Sequence, residues 1–203
     1  SPRRPTLIRR MRRTARRWVG RAREKFADRQ QNYAKWLEAH VAQRQARLTI
    51  HAQAGQFSFL TGVYEKTPPE LFRETAAAVF AQTSQNFEWV LLAHGVISEE
   101  LQRVISEVAR DSRVCLIQLD ENRGIIGGMR VCLENATGKY VIPLDADDLL
   151  FTDALQVCAQ AIQEQGFPKF LYTDEDHYSN DKPRSPFQRP DWDPILNQSG
   201  SYI

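Results

Sequence analysis

The chain has no run of the ~20 consecutive apolar residues that a membrane-spanning helix needs, so no such span is expected. Cysteine is scarce. Cys115, Cys132 and Cys158 follow no zinc-ligand spacing, and their odd number reads as reduced, buried thiols of a cytosolic setting rather than a disulfide framework. His94 and His177 are the only histidines near expected strand ends, and neither has a histidine partner at zinc spacing. No apolar stretch follows the charged N-terminus, so it does not read as a signal peptide; a start at Ser1 without Met reads as processed or trimmed. The G-x-G-x-x-G fingerprint is also missing. "RGIIGG" (123–128) has the wrong spacing and follows the third expected strand rather than the first, which argues against a dinucleotide-binding oxidoreductase.

Net charge is small, at +2, but it conceals a split. Residues 1–50 hold 15 Lys+Arg against 3 Asp+Glu, while the remainder holds 12 against 22. The chain is therefore expected to divide into a basic segment, 1–50, and an acidic one, 51–203. In the basic segment Leu7, Met11, Ala15, Trp18, Ala22, Phe26, Tyr33, Leu37 and Val41 recur at helical intervals. Arginines, among them Arg9, Arg10, Arg16 and Arg17, occupy the other face of that helix. Such a helix suits packing or self-association, or an anionic membrane surface. Nucleic acid is disfavoured because no DNA- or RNA-binding motif accompanies the charge.

From Phe57 onward, apolar runs of strand length alternate with helical patterns. Strands are expected at 57–63, 87–93, 113–119, 139–144 and 169–175. Helices are expected at 67–82, where Thr67 and Glu70 form a capping box, at 98–111 opened by Ser98, at 125–138 stopped by Gly138, and at 152–166. This alternation predicts an α/β fold, a mainly parallel sheet with helices on both faces.

Ligands of such sheets bind beyond the carboxyl ends of the strands. The fourth strand ends there in "DADD" (145–148), and the fifth runs into "DEDH" (174–177). Strand ends often carry Asp as turn or cap residues, and Asp148, read as a helix-opening residue, and Asp153 fit that role. Asp145 and Asp147 would diverge on an ideal strand, but the turn that must follow can bring them together. Two carboxylates with open positions suit a hard divalent cation, Mn2+ or Mg2+, which completes its shell with water and phosphate oxygens.

"GVYEKTPPELFRETAAAVFAQT", "NRGIIGGMRVCLENATGKYVIPLDADDLL" and "YTDEDHYSNDKPRSPFQRPDWDPIL" together resemble the family 2 glycosyltransferases of GT-A fold, notably bacterial enzymes of surface-polysaccharide synthesis. The resemblance spans about residues 57–203. It implies metal-dependent, inverting transfer of a sugar from a UDP- or dTDP-linked donor to a saccharide or lipid-linked acceptor. It implies an Asp-x-Asp motif at Asp145-Ala146-Asp147, with Asp145 facing the ribose and Asp147 holding the metal. Gly62, Val63 and Tyr64 would line the base and ribose pocket, Asn122 and Arg123 would lie beside the nucleotide, and "DEDH" and "RPDWDP" would lie on the acceptor side. The implied localisation is cytoplasmic, or peripheral on the inner face of the membrane.

Departures from the family pattern accompany it. An aspartate pair usually ends the second strand; here Ala93-His94 stands there, and His94 either offers a ring nitrogen to the base or is an ordinary loop histidine. Arg130, where the family usually has Asn, either meets phosphate or pairs with Glu134 one turn on. The family's catalytic carboxylate lies further downstream, so the base is expected beyond Ile203 and this chain reads as a donor-binding portion. Asp174, Glu175 and Asp176 form the remaining local carboxylate cluster. A non-catalytic sugar-nucleotide-binding or partner-binding module remains the alternative. A sugar-phosphate nucleotidyltransferase would need a Gly-rich loop with Arg and Lys after the first strand, which "TGVYEKTPP" lacks.

Overall fold

A computed structural model describes residues 32–53, 55–179, 182–187 and 189. It divides into two compact units, one spanning 48–169 and the other formed by the segments on either side of it. Among the described residues no helix is long and apolar enough to cross a membrane.

The larger unit is a four-stranded sheet in the order β3-β2-β1-β4, all neighbours parallel. Its strands are β1 (Phe57–Val63), β2 (Phe87–His94), β3 (Val114–Leu119) and β4 (Tyr140–Pro143). β2 is apolar almost throughout because it is covered on both faces, as expected of a central parallel strand. Side chains alternate between those faces. Leu60, Val90 and Leu92 pack with Cys132 of α4 (Gly124–Asn135). On the other face, Trp89 meets Phe72 and Phe80 of α2 (Pro69–Phe80) at ring-centroid distances of 6.0 and 5.8 Å. Its indole Nε1 donates to Thr61 Oγ1 at 2.9 Å, so the fully buried ring leaves no polar atom unsatisfied. α3 (Glu99–Val108) packs beside α2, and α5 (Ala154–Glu164) completes the unit. The expected α/β class, a parallel sheet with helices on both faces, is borne out.

Several local expectations need correction. Ser98 caps α3 as expected, accepting from Leu101 N, but Thr67 does not cap α2. Its hydroxyl accepts from Tyr64 N at 3.1 Å and its own N–H returns to Tyr64 O at 3.0 Å, closing the turn after β1 instead. Gly138 does not stop α4, which ends at Asn135. It serves close approach: a Cβ there would lie 2.4 Å from Ser58 Oγ and 2.7 Å from Ser58 N. Gly138 N instead donates to Ser58 Oγ at 2.8 Å, while Glu88 accepts from Ser58 and from the N–H and hydroxyl of Thr137. This network ties the α4–β4 connection to the amino end of the sheet.

The expected strand at 169–175 is absent; 169–174 join no ladder. In the second unit β5 (Glu175–Ser179) and β6 (Lys182–Phe187) form an antiparallel ribbon with an irregularity at His177/Tyr178. Residues 32–45 of that unit are helical and form α1, half-burying Tyr33, Leu37 and Val41 of the expected stripe. The rest of that stripe, Leu7 to Phe26, and its arginines lie outside the described residues, as does "RPDWDP" after Arg189.

Candidate functional site

The carboxyl ends of the four parallel strands carry most of the residues singled out in the sequence. At β4, Leu144 N still donates to Leu60 O at 2.9 Å, and the chain then turns. Asp148 N closes that turn on Asp145 O at 3.2 Å. Ala146, inside the turn, is buried, while Asp145 and Asp147 on either side of it are exposed. The turn therefore presents two carboxylates to solvent around an anchored backbone. Asp148 does not open a helix; α5 begins at Ala154, and Asp153, fully buried, occupies its N-cap position without a side-chain cap bond.

Two residues that sequence reasoning passed over, Thr75 in α2 and Gln82 just beyond its end, shape this connection. Thr75 is fully buried, and its hydroxyl meets Ala146 O at 3.0 Å and Leu71 O of its own helix at 3.2 Å. Gln82, 2 % exposed, donates through Nε2 to Phe151 O at 2.8 Å and accepts Leu155 N on Oε1 at 3.1 Å. The available signal was polarity inside an apolar pattern: Thr75 shares the inward face of α2 with Phe72, Ala76 and Val79.

His94 ends β2 and is 95 % buried. Its Nδ1 accepts from Arg123 N at 3.1 Å, which in the neutral ring puts the proton on Nε2. Burial pushes the imidazole below its ordinary value, consistent with a neutral donor. Gly128 makes room for the ring, since a Cβ there would sit 3.3 Å from Cε1, while a Cβ on Gly62 would make only ordinary contact at 3.7 Å from Nε2. Tyr64, 38 % exposed, stands edge-on to the imidazole at 6.3 Å. His94 is thus a buried residue at the end of β2, packed against Gly128 and beside Tyr64 and Arg123.

Asn122 accepts Gly124 N on Oδ1 at 2.8 Å, and Gly124 takes a left-handed φ of 65° that glycine accommodates at little cost. A Cβ on Gly95 would lie 3.1 Å from Asn122 Cβ, so the β2 and β3 loops abut. Arg123 pairs with Glu121 at 3.4 Å on the surface. Val63 differs from the others: the whole residue is fully buried, so it does not line an open pocket as expected. Arg130 pairs with Glu134 at 3.0 Å across one exposed helical turn.

The family model described as Glycosyl transferase family 2 matches residues 58–199. The chain belongs to glycosyl transferase family 2. O-antigen biosynthesis protein RfbC of Myxococcus xanthus is 31 % identical over 185 residues, covering 85 % of this chain and 14 % of that protein. The amylovoran biosynthesis glycosyltransferase AmsE of Erwinia amylovora is 28 % identical over 100 residues, covering 49 % of this chain and 38 % of that protein. Among solved structures, TarS of S. aureus aligns with a TM-score of 0.49 at 23 % identity, over 55 % of this chain and 20 % of that one. The chain thus spans only a minor part of the length of the relatives it matches.

In the second unit, the carboxylates of this family 2 chain's "DEDH" are already engaged. Asp174 accepts from Arg189 N at 2.8 Å, Glu175 pairs with the Arg189 guanidinium at 2.9 Å, and Asp176 accepts from Tyr33 OH at 2.5 Å. Burial and the Asp176 carboxylate both push the Tyr33 phenol up, which holds its proton in that bond. Among the described residues no group of three or more His, Cys, Asp or Glu side chains is placed to hold a metal ion. Asp145 and Asp147 are two hard oxygen donors with open surroundings, a set that fits a cation sharing its shell with another oxygen-rich ligand.

Proposed function

We propose that this chain is the donor-binding portion of a metal-dependent, inverting glycosyltransferase that uses a UDP- or dTDP-linked sugar. The observation that carries this reading is the anchored turn holding exposed Asp145 and Asp147 at the carboxyl edge of a family 2 sheet. Mn2+ or Mg2+ held by these carboxylates would neutralise charge on the departing diphosphate. Asp147 binds the ion, and Asp145 faces the ribose and supports it. Gly62 and Tyr64 accommodate base and ribose, with Asn122 and Arg123 alongside. His94 offers its Nε2–H to a base carbonyl. The acceptor hydroxyl, a saccharide's or a lipid-linked sugar's, attacks the anomeric carbon as the bond to the diphosphate breaks, and its proton passes to a base. That base belongs to the longer protein, because Asp174, Glu175 and Asp176 already accept hydrogen bonds or an ion pair. Polysaccharide synthesis is supported by the names of the O-antigen and amylovoran relatives.

Calorimetric titration of UDP and dTDP, with and without Mn2+, tests this. Binding is expected to need the cation, to be lost with chelator and in Asp147→Ala, and to persist in Asp148→Ala. Metal-independent binding unchanged in Asp147→Ala would overturn it.

A further inference from the structure

The α2 face toward the Asp145–Asp148 turn carries one hydroxyl, that of Thr75, among hydrocarbon side chains. Phe72, Ala76 and Val79 fill the rest of that face, and Val has nearly the shape of Thr. Besides Leu71 O of its own helix at 3.2 Å, the Thr75 hydroxyl reaches across 71 residues of chain to Ala146 O at 3.0 Å, in the residue between the two exposed aspartates. Seven residues on, Gln82 grips the exit of the same connection, holding Phe151 O and Leu155 N. Thr83 N adds a bond to Thr152 O at 2.7 Å. Thr75 of α2 thus holds the acidic turn at its centre, and Gln82 and Thr83, just past the helix end, hold its exit.

We propose that Thr75 is a positioning residue for cation binding: its bond to Ala146 O fixes the peptide plane from which the Asp145 and Asp147 carboxylates diverge. The proposal rests on the metal reading of those aspartates. Without the bond the Ala146 carbonyl loses its buried partner, and the turn can rotate toward another donor. The two carboxylates would then lose the relative placement that a shared ion requires. Residues that orient metal ligands without touching the metal alter affinity by about 10–100-fold when removed.

The test is Mn2+ titration of the 203-residue chain in the presence of UDP, with free Mn2+ read by electron paramagnetic resonance. Asp147→Ala, Thr75→Val, Thr75→Ser and Thr75→Ala are compared with the parent. Thr75→Val should weaken Mn2+ binding by on the order of 10-fold, and Thr75→Ser, which keeps the hydroxyl, should restore it. Should Thr75→Val fail to fold, Thr75→Ala, which removes the same bond without adding bulk, carries the same expectation. If Asp147→Ala loses Mn2+ while Thr75→Val and Thr75→Ala bind as the parent does, the positioning role is refuted and the metal site stands. Equal weakening in Thr75→Ser would also refute it, because the hydroxyl would not be the cause. A parent chain that binds no Mn2+ with UDP would overturn the metal reading itself, and this proposal with it.

Discussion

Replacing Gly138 by alanine should damage the fold while sparing the site. The added Cβ would meet Ser58 Oγ at 2.4 Å, Ser58 N at 2.7 Å and the Phe57 carbonyl carbon at 2.8 Å. Two of these three are backbone atoms of β1, the central strand paired with both β2 and β4, so no side-chain rotation relieves the contact. Overpacking of this kind costs about 1–3 kcal/mol. The shift also breaks the Gly138 N bond to Ser58 and strains the Glu88 network, adding about 1 kcal/mol. A loss of about 2–4 kcal/mol corresponds to a urea midpoint lower by about 1–2 M at an m of about 2 kcal/mol/M. The contact lies at the amino end of the strands and the aspartate turn at the carboxyl end. Below the unfolding transition, the affinity for UDP with Mn2+ should therefore match that of the parent. A midpoint change worth less than about 0.5 kcal/mol, the range of ordinary surface substitutions, would refute the close-approach argument.

Acid should destabilise the chain in two steps. Below the ordinary histidine value of 6.5 the unfolded chain takes up a proton that buried His94 resists, so stability falls as pH drops from there toward the lower folded value; His94→Gln should flatten this step in urea melts across pH. At Glu88 burial raises the pKa, but the donors from Ser58, Thr137 and Gly138 outweigh it. Its contribution is therefore full above 4.5 and is lost as pH falls toward the folded value, a step that Glu88→Gln should remove. If the basic segment binds an anionic membrane surface, the chain should sediment with phosphatidylserine vesicles, be released by salt, and lose this on deletion of residues 1–50. A salt-stable dimer with no vesicle affinity would favour self-association instead.

The strands β1 to β4 were legible because each is an apolar run flanked by turn chemistry, and the parallel plan followed from their alternation with helices. The run at 169–175 misled because periodicity measures apolarity, not the presence of a hydrogen-bonding neighbour. Phe170 there is 59 % exposed and lies 6.0 Å from Tyr172, ring to ring, with no ladder formed. Thr67 and Gly138 misled for a related reason. Thr-x-x-Glu and a glycine after a helix each suggest a helix end, but a local turn with Tyr64 claimed Thr67 and a tertiary contact with Ser58 claimed Gly138. At the site, the aspartate turn and the His94 position could be read from strand ends. Thr75 and Gln82 could not, because their partners lie 71 and 69–73 residues away. Arg130 had two readings in sequence; its pairing with Glu134 supplies the surface one.

The central claim is that Asp145 and Asp147 hold a divalent cation against a nucleotide diphosphate. Its most direct test is anomalous X-ray scattering, at an energy specific for manganese, from crystals of the chain grown with UDP and Mn2+. The account predicts one strong manganese peak within coordination distance of the Asp147 carboxylate and of a diphosphate oxygen, with Asp145 adjacent. UDP bound at the carboxyl edge of the sheet with no manganese at the turn, or manganese at another cluster, would contradict it.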